Sequence, residues 1–417
     1  MQILHLSTSD IGGGAAIAAY RLHKGLQQLG VASQMLVEKK LSDDRAVFAP
    51  NNNLGRALGI IKPTLDSFPL RFYPGCDRTQ LTLSLEWLPD GIAPKIAQLA
   101  PDIIHLHWIG AGFLKIETLA KFKQPLVWTL DDMWALTGGC HYSQECDRYK
   151  VSCGHCPLLQ SNQNWDLSRW VWQRKAKAWQ NLNLTIVTPS TWLANCASSS
   201  SLFKNRRIEV IPYGLNHEQY KPIKRRLARE LLKLPQDKQI ILFGAIGATS
   251  DSRKGFHLLQ LALQRLSQSI ERQNTEVVIF GSSQPENAID LGFKAHYLGY
   301  LQDAISLAIV YSAANVMIVP STQEAFGQTA SESLACGTPV VCFDTTGLKD
   351  VVEHQENGYR AKCFSCEDLA NGIAWILQDK QRWQHLSHRA REKVKQEFTL
   401  EIQAHRYLNL YHEILST

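Results

Sequence analysis

The residues best placed to do chemistry are two glutamates separated by seven residues, Glu324 and Glu332, in the stretch VPSTQEAFGQTASESLACGTPVV. An apolar run, Val316 to Val319, reads as a buried strand; the loop after it carries Glu324 and the helix that follows carries Glu332. Two carboxylates at one site suggest either the acid and base of a hydrolase or two grips on a polyhydroxylated ligand. Eight helical residues rise about 12 Å, whereas hydrolytic carboxylate pairs stand roughly 5–9.5 Å apart. The spacing weakens the hydrolase reading and favours carboxylates that hold different hydroxyls of one long ligand. Between them Ala325, Phe326, Gly327 and Gln328 lie at a helix start, whose free N–H groups suit a phosphate.

A second loop adds charge of the opposite sign. The apolar run QIILFGA passes into IGATSDSRKGF, with Gly244 and Gly247 followed by Arg253 and Lys254. Adjacent cations at a helix start can hold a diphosphate and stabilise it as it departs; the bland alternative is a pair of solvated cations. A third loop, SDIGGGAA at residues 9–16, follows the first strand. Its Gly13 and Gly14 let the backbone approach a phosphate or sugar, or simply make a tight turn. The pattern is neither GxGxxG nor a P-loop. His105 and His107 in DIIHLHW share one strand face. They either line a cleft or hold structural hydrogen bonds, and two imidazoles alone make a poor metal site. Cys140, Cys146, Cys153 and Cys156 crowd into seventeen residues. Their Cys-x2-Cys half suits a structural zinc, with His141 and His155 as substitute ligands and unbound thiols or regulatory disulfides as the alternative.

Elements that would position these loops repeat along the chain. Short apolar runs alternate with helical patterns, first from QILHLS to LTIVTPS and again from QIILFGA to PVVCFD, the mark of parallel sheets covered by helices. We therefore expect an α/β chain of two Rossmann-like doubly wound domains. The expected divisions are a first domain at 1–207 with a Cys-rich insert at 138–160, a second at 208–395, and a C-terminal helix at 396–417 that crosses back to the first. Ligands of such sheets sit at the carboxyl ends of the strands, so two facing domains would enclose them in a cleft.

With 417 residues, 45% hydrophobic and a formal charge of +6, the chain can bury two cores. No run of about 18 apolar residues suggests a membrane span, and the N-terminus has no signal-peptide pattern. A cytoplasmic location follows as the expectation, including the inner face of the plasma membrane. Basic charge concentrates in KPIKRRLAR (221–229) and WVWQRKAKAW (170–179). Both runs read as solvated helix faces, with peripheral attachment to an anionic membrane as the alternative; no nucleic-acid motif accompanies them.

Taken together, the Glu-x7-Glu segment, Gly337-Thr338-Pro339-Val340, the RKG loop, the glycine-rich first loop and VIPYGLN (210–216) resemble retaining glycosyltransferase family 4, the group 1 enzymes of GT-B fold. The resemblance spans nearly the whole chain. It implies that Glu332 binds the nucleotide ribose, Glu324 the donor sugar, Lys254 the diphosphate, and Phe326 to Gln328 sugar and phosphate through backbone groups. Arg253 would take the place of an arginine that the family often has where this chain has Ala245. No catalytic metal is implied, since retention proceeds through the departing phosphate without a protein nucleophile.

The stretch LVWTLDDMWALTGGCHYSQECDRYKVSCGHCPLL resembles a bacterial exopolysaccharide subgroup, of colanic-acid type. That subgroup has His-Asp where this chain has Asp131-Asp132, which puts an aspartate near the reacting sugar. The implied function is transfer from a UDP- or GDP-sugar to a glycan or lipid-linked saccharide. Glu324, Lys254, Arg253 and Asp131 form the reacting set, and His105, His107, Asp132 and His141 lie on the acceptor side. A sucrose- or trehalose-type synthase and a non-catalytic nucleotide-sugar or glycan-binding protein remain as alternatives.

Overall fold

A computed structural model describes residues 1–50, 53–76, 83–284, 289–301 and 303–416. Contacts divide the chain into two units, Met1–Gly214 with Glu401–Thr417, and Leu215–Leu400. In chain order the first unit contains β1 (Gln2–Ser9), α1 (Gly14–Gln28), β2 (Ala32–Lys39), β3 (Val47–Phe48), α2 (Asn53–Asp66), α3 (Ile92–Leu99), β4 (Ile103–Leu106), β5 (Leu126–Thr129), α4 (Leu167–Trp179), β6 (Leu184–Thr188), α5 (Thr191–Ser199) and β7 (Arg207–Val210). The second contains α6 (Arg225–Leu231), β8 (Gln239–Gly244), α7 (Phe256–Leu266), β9 (Thr275–Phe280), β10 (Lys294–Tyr297), α8 (Ala304–Ala313), β11 (Val316–Val319), α9 (Gln328–Ala335), β12 (Val340–Phe343), α10 (Leu348–Val351), β13 (Gly358–Ala361), α11 (Cys366–Leu377) and α12 (Lys380–Glu397). The last helix, α13 (Leu400–Ser416), belongs almost wholly to the first unit.

Each unit is built on one parallel sheet. The first has seven strands in the order β3-β2-β1-β4-β5-β6-β7, and the second six in the order β10-β9-β8-β11-β12-β13. Strands β4, β5, β11 and β12 are buried along their whole length, so they read as near-continuous apolar runs rather than alternating ones, with His105 and Thr129 as the polar exceptions. Local chemistry starts the covering helices. Asp166 caps α4, Ser190 α5, Asp303 α8 and Ser365 α11, each accepting from a backbone N–H three residues on.

In both sheets the connections reverse direction beside the first strand of the unit, between β1 and β4 and between β8 and β11. These switch points splay the loops apart at the carboxyl edge and open a place for a ligand. The first unit's core includes Ile3, Leu22, Val127 and Ile211 packed with Ala404, Tyr407, Leu410 and Tyr411 of α13. The second unit's core joins β8, β9, β11 and β12 to α7 and α11.

Candidate functional site

At the switch point of the second unit, the loops after β8 and β11 touch. Gly255 has φ +73, and a Cβ there would stand 2.0 Å from the Pro320 carbonyl oxygen, so only glycine allows the approach. Thr322 N–H donates to the Arg253 carbonyl at 2.9 Å, pinning one loop to the other. Lys254 Nζ then donates to Glu324 Oε1 at 2.6 Å, and Ser321 Oγ reaches the same oxygen at 3.0 Å. Burial alone would raise the Glu324 carboxyl, but Lys254 and Arg253 outweigh it and hold it below the ordinary range. Arg253 is itself braced by Asp251 at 2.8 Å and reaches the Gln323 carbonyl at 3.4 Å.

Glu332 lies inside α9, buried, where it accepts from the Tyr311 hydroxyl at 3.0 Å. Gly327, with φ +104, ends the loop as the N-cap of α9 and offers no side chain of its own. Gln328 begins the helix there. Phe326 packs its ring edge-on against Phe398 at 5.3 Å, and Ala325 is buried, so these two can meet a ligand only through their backbone. At Gly244 a Cβ would lie 2.2 Å from the Phe280 ring, so packing inside the sheet by itself requires the glycine.

In the first unit, Gly13 (φ +105) is the N-cap of α1, with open space where a Cβ would stand, and Gly14 is the first helical residue. Asp10, which the sequence did not single out, organises this loop. Its Oδ1 accepts from Ile11 and Leu41 N–H at 2.9 Å, and its Oδ2 from Ser42 N–H at 2.8 Å.

A recess opens beyond the carboxyl ends of β4 and β5, walled by His107, Trp108, Gly110, Asp131, Asp132 and Trp134. Asp132 Oδ2 lies 2.5 Å from His141 Nδ1 and accepts from Trp108 Nε1 at 3.0 Å, while its Oδ1 accepts from Trp134 N–H at 2.7 Å. His141 Nε2 faces Ser84 Oγ at 2.9 Å. Asp131 Oδ1 accepts from the Tyr213 hydroxyl at 2.5 Å.

His105 does not belong to the recess. Its Nδ1 meets the Tyr411 hydroxyl at 2.6 Å and its Nε2 the Thr129 hydroxyl at 2.7 Å, so both ring nitrogens serve the core beneath α13. His5 joins the histidine pair from β1, with Nδ1 2.9 Å from His107 Nε2. Only knowledge of the β1–β4 register, which pairs His5 with His105, could have revealed this third member. The ligand atoms of the three fall within 4.8 Å of one another. Their rings stack, however, at interplanar angles of 28°, 30° and 36°. Imidazole lone pairs lie in the ring planes, so near-parallel rings do not converge on an ion. Burial holds all three pKa values low, His107 at about 3, so the cluster is neutral and hydrogen-bonded.

The four clustered cysteines are free and share one neighbourhood, but the histidine trio is the sole set of three or more metal-type ligands within 4.8 Å among the described residues. Cys153 is anchored by Gly138 N–H at 3.0 Å, and the turn at Arg148–Lys150 separates it from Cys146. Burial raises the thiols of Cys140, Cys153 and Cys156. Cys153 and Cys156 are buried, whereas Cys140 and Cys146 are partly exposed.

Both basic runs are used internally. Arg229 is buried and donates to the carbonyls of Ala313, Gln236 and Lys238, and Arg225 stacks over Trp383 at 4.1 Å. Arg174 bonds Glu117 and the carbonyls of Leu85 and Glu86, while the fully buried Lys175 donates to the carbonyls of Trp134 and Thr137 over the Trp134 ring. These helix faces are therefore not simply solvated.

Comparison with known proteins accounts for both units. Residues 12–219 match the model of glycosyltransferase family 4 and residues 224–394 that of glycosyl transferases group 1. A D-inositol 3-phosphate glycosyltransferase of Gordonia bronchialis is 32% identical over 206 residues, 46% of this chain and 44% of that one. The chain thus spans about half the length of the curated relatives it matches. Among solved structures, a sucrose-phosphate synthase from Thermosynechococcus elongatus superposes with a TM-score of 0.69 at 21% identity, covering 100% of both chains. The Anabaena protein HepE, in complex with UDP-glucose, gives a TM-score of 0.64 at 16% identity, covering 100% of this chain and 99% of that one. At these identities the structural matches speak for the fold alone. With two parallel-sheet units of this topology and both family models matched in order, the chain belongs to the family 4, group 1 glycosyltransferases of GT-B fold.

Proposed function

We propose that the chain transfers a sugar, with retention, from a nucleoside diphosphate sugar to a glycan acceptor in the assembly of a surface polysaccharide. The observation that carries this reading is the meeting of Lys254 and Glu324 at the switch point, directly before the α9 N-terminus. A cation, a carboxylate and the positive end of a helix are what the diphosphate and hydroxyls of such a donor require. Glu332, on the same helix, would take the ribose. HepE's complex makes UDP-glucose the first donor to test, with GDP- and ADP-sugars beside it. Thermal shifts that rise with ligand concentration would identify the donor, because a ligand that binds only the folded state stabilises it by mass action. Transfer that survives both Lys254→Ala and Glu324→Ala would overturn the assignment.

On this reading the acceptor is lipid-linked, and the first unit carries a surface that suits it. Ile60, Ile61, Leu65, Phe68 and Phe72 are exposed along α2 and the turn after it, Ile60 at 79% and Phe72 at 76%. Among the described residues no helix is long and apolar enough to cross a membrane. Attachment would therefore be peripheral, through buried apolar area at the headgroup boundary. Co-sedimentation with vesicles that is unchanged by Ile60→Ser with Phe72→Ser would exclude this surface. The Gordonia relative's name makes inositol 3-phosphate the soluble acceptor to run in parallel.

A further inference from the structure

Glu332 sits on a helix of only eight residues, Gln328 to Ala335, so the carboxylate can be no better placed than the ends of that helix. Gly337, with φ +75, stops α9 in a left-handed turn. Its N–H donates to the Leu334 carbonyl at 2.9 Å and the Thr338 N–H to the Ser333 carbonyl at 3.0 Å, the paired bonds of a Schellman cap. Pro339, which cannot extend a helix, follows.

Thr338 does more than cap. It is buried, and its Oγ1 donates to the Tyr311 carbonyl at 2.7 Å, fastening the end of α9 to α8. The Ser333 hydroxyl donates to the Thr338 carbonyl at 3.0 Å. From α8 the Tyr311 hydroxyl donates to Glu332 Oε2 at 3.0 Å. The bonds close a ring that runs from Glu332 to Tyr311, on to Thr338 and Ser333, and back to Glu332 along the chain. The Gly337-Thr338-Pro339 turn thus bears on a carboxylate five residues before it.

Tyr311 is more than filling. Its ring meets Phe280 edge-on at 5.8 Å, a contact that a phenylalanine would make equally well. A hydroxyl withdrawn from water costs free energy unless it is bonded, and the partner supplied here is the carboxylate. Burial and then Glu332 raise the phenol well above its ordinary range, so it keeps its proton and donates. Tyr311 is fully buried, whereas Glu332 keeps 6% of its surface open. A ligand can therefore meet the carboxylate but not the phenol. The two oxygens of a carboxylate accept about four hydrogen bonds, so the phenol's bond leaves capacity for hydroxyls.

We propose that Tyr311 and Thr338 are positioning residues that hold the Glu332 carboxylate ready for the ribose hydroxyls of the donor, and so select ribonucleotides over deoxyribonucleotides. This rests on the assignment of Glu332 to the ribose. A glutamate has three side-chain torsions to fix when a hydroxyl arrives; one already held by the phenol loses less freedom on binding. The bond to the carboxylate is charge-assisted and directional, which makes the phenol the stronger of the two supports. Thr338 acts one bond farther away, through the placement of Tyr311.

Isothermal titration of the full chain with UDP, GDP and ADP, each beside its 2′,3′-dideoxy form, tests this, the base that binds setting the pair used. Wild type should hold the ribonucleotide about tenfold to a hundredfold more tightly than the dideoxy form. Glu332→Ala should bring the two within about threefold. Tyr311→Phe should narrow the ratio to about threefold to fivefold while leaving the dideoxy Kd within about twofold, and Thr338→Val should narrow it less. A Tyr311 that serves folding alone would weaken both ligands alike and leave the ratio where it was, and that result overturns the proposal.

Should Tyr311→Phe fail to fold with its buried carboxylate unpartnered, the double variant with Glu332→Ala removes both partners. Its Kd values should equal those of Glu332→Ala alone; a further loss for both nucleotides makes Tyr311 structural and overturns the proposal. A wild-type ratio near one, or a ratio unmoved by Glu332→Ala, refutes the ribose assignment and the proposal with it. Binding of none of the three nucleotides removes the donor reading itself.

Discussion

Glu324 in the second unit and Asp131 in the first are both carboxyls withdrawn from water at the carboxyl edge of a parallel sheet, and their pKa values move in opposite directions. Glu324 has Lys254 in contact and Arg253 near, so it stays ionised. Asp131 has a phenol in contact and an anion next to it, so burial pushes its carboxyl up to about 8. Burial raises the pKa in both places, and the charge of the nearest partner decides the outcome. The same burial can therefore be outweighed at one switch point and left standing at the other, with the difference residing in the loops.

The largest effect should come from breaking the clamp. Lys254→Ala removes the cation from the diphosphate site and should reduce transfer by about a hundredfold to a thousandfold; a loss below threefold would mean that the Lys254–Glu324 pair is structural. Next in size is Gly255→Ala, which forces a side chain into left-handed backbone and against Pro320. It should destabilise the protein by about 1–3 kcal/mol in chemical denaturation and loosen the clamp. Tyr411→Phe probes the neutral side. It leaves His105 Nδ1 buried without its partner, at a cost of about 1–3 kcal/mol, and should leave the donor-induced thermal shift unchanged.

The smallest change per step is in pH dependence, where the two carboxyls should act with opposite sign. Asp131 has a folded-state pKa raised from 3.8 to about 8, so its contribution is complete below the unfolded value and is lost as pH rises through about 8. Glu324 has a lowered pKa, so its contribution is present above 4.5 and is lost as pH falls through the folded value. Denaturation midpoints of Asp131→Asn and Glu324→Gln against wild type should diverge at the alkaline and acid ends respectively, by at most about 1.4 kcal/mol per pH unit. Parallel curves at both ends would erase the contrast.

Both sheets were legible in the sequence because parallel strands covered on two faces leave near-continuous apolar runs. Lys254 and Glu324 were legible as charges in loops that follow such runs. What escaped depends on register and on distant partners. His5 meets His105 only through strand pairing, and Asp131 finds Tyr213 across 82 residues of chain. The packing need at Gly244 comes from the ring of Phe280 on the next strand, which no local pattern announces. The basic runs were misread for another cause. A string of cations looks solvated until the carbonyls that receive Arg229, Arg174 and Lys175 are brought together by folding.

The placement of α13 sets a timetable for synthesis. Tyr407 and Tyr411 complete a core laid down by Ile3, Ile103 and Val127, yet they leave the ribosome only after all of residues 215–400. At translation rates of 5–20 residues per second, the first-made unit waits roughly 10–40 s with His105, Thr129 and an apolar face uncovered. The second-made unit, whose core is continuous in the chain, can close in that interval. The unit begun first is thus finished last.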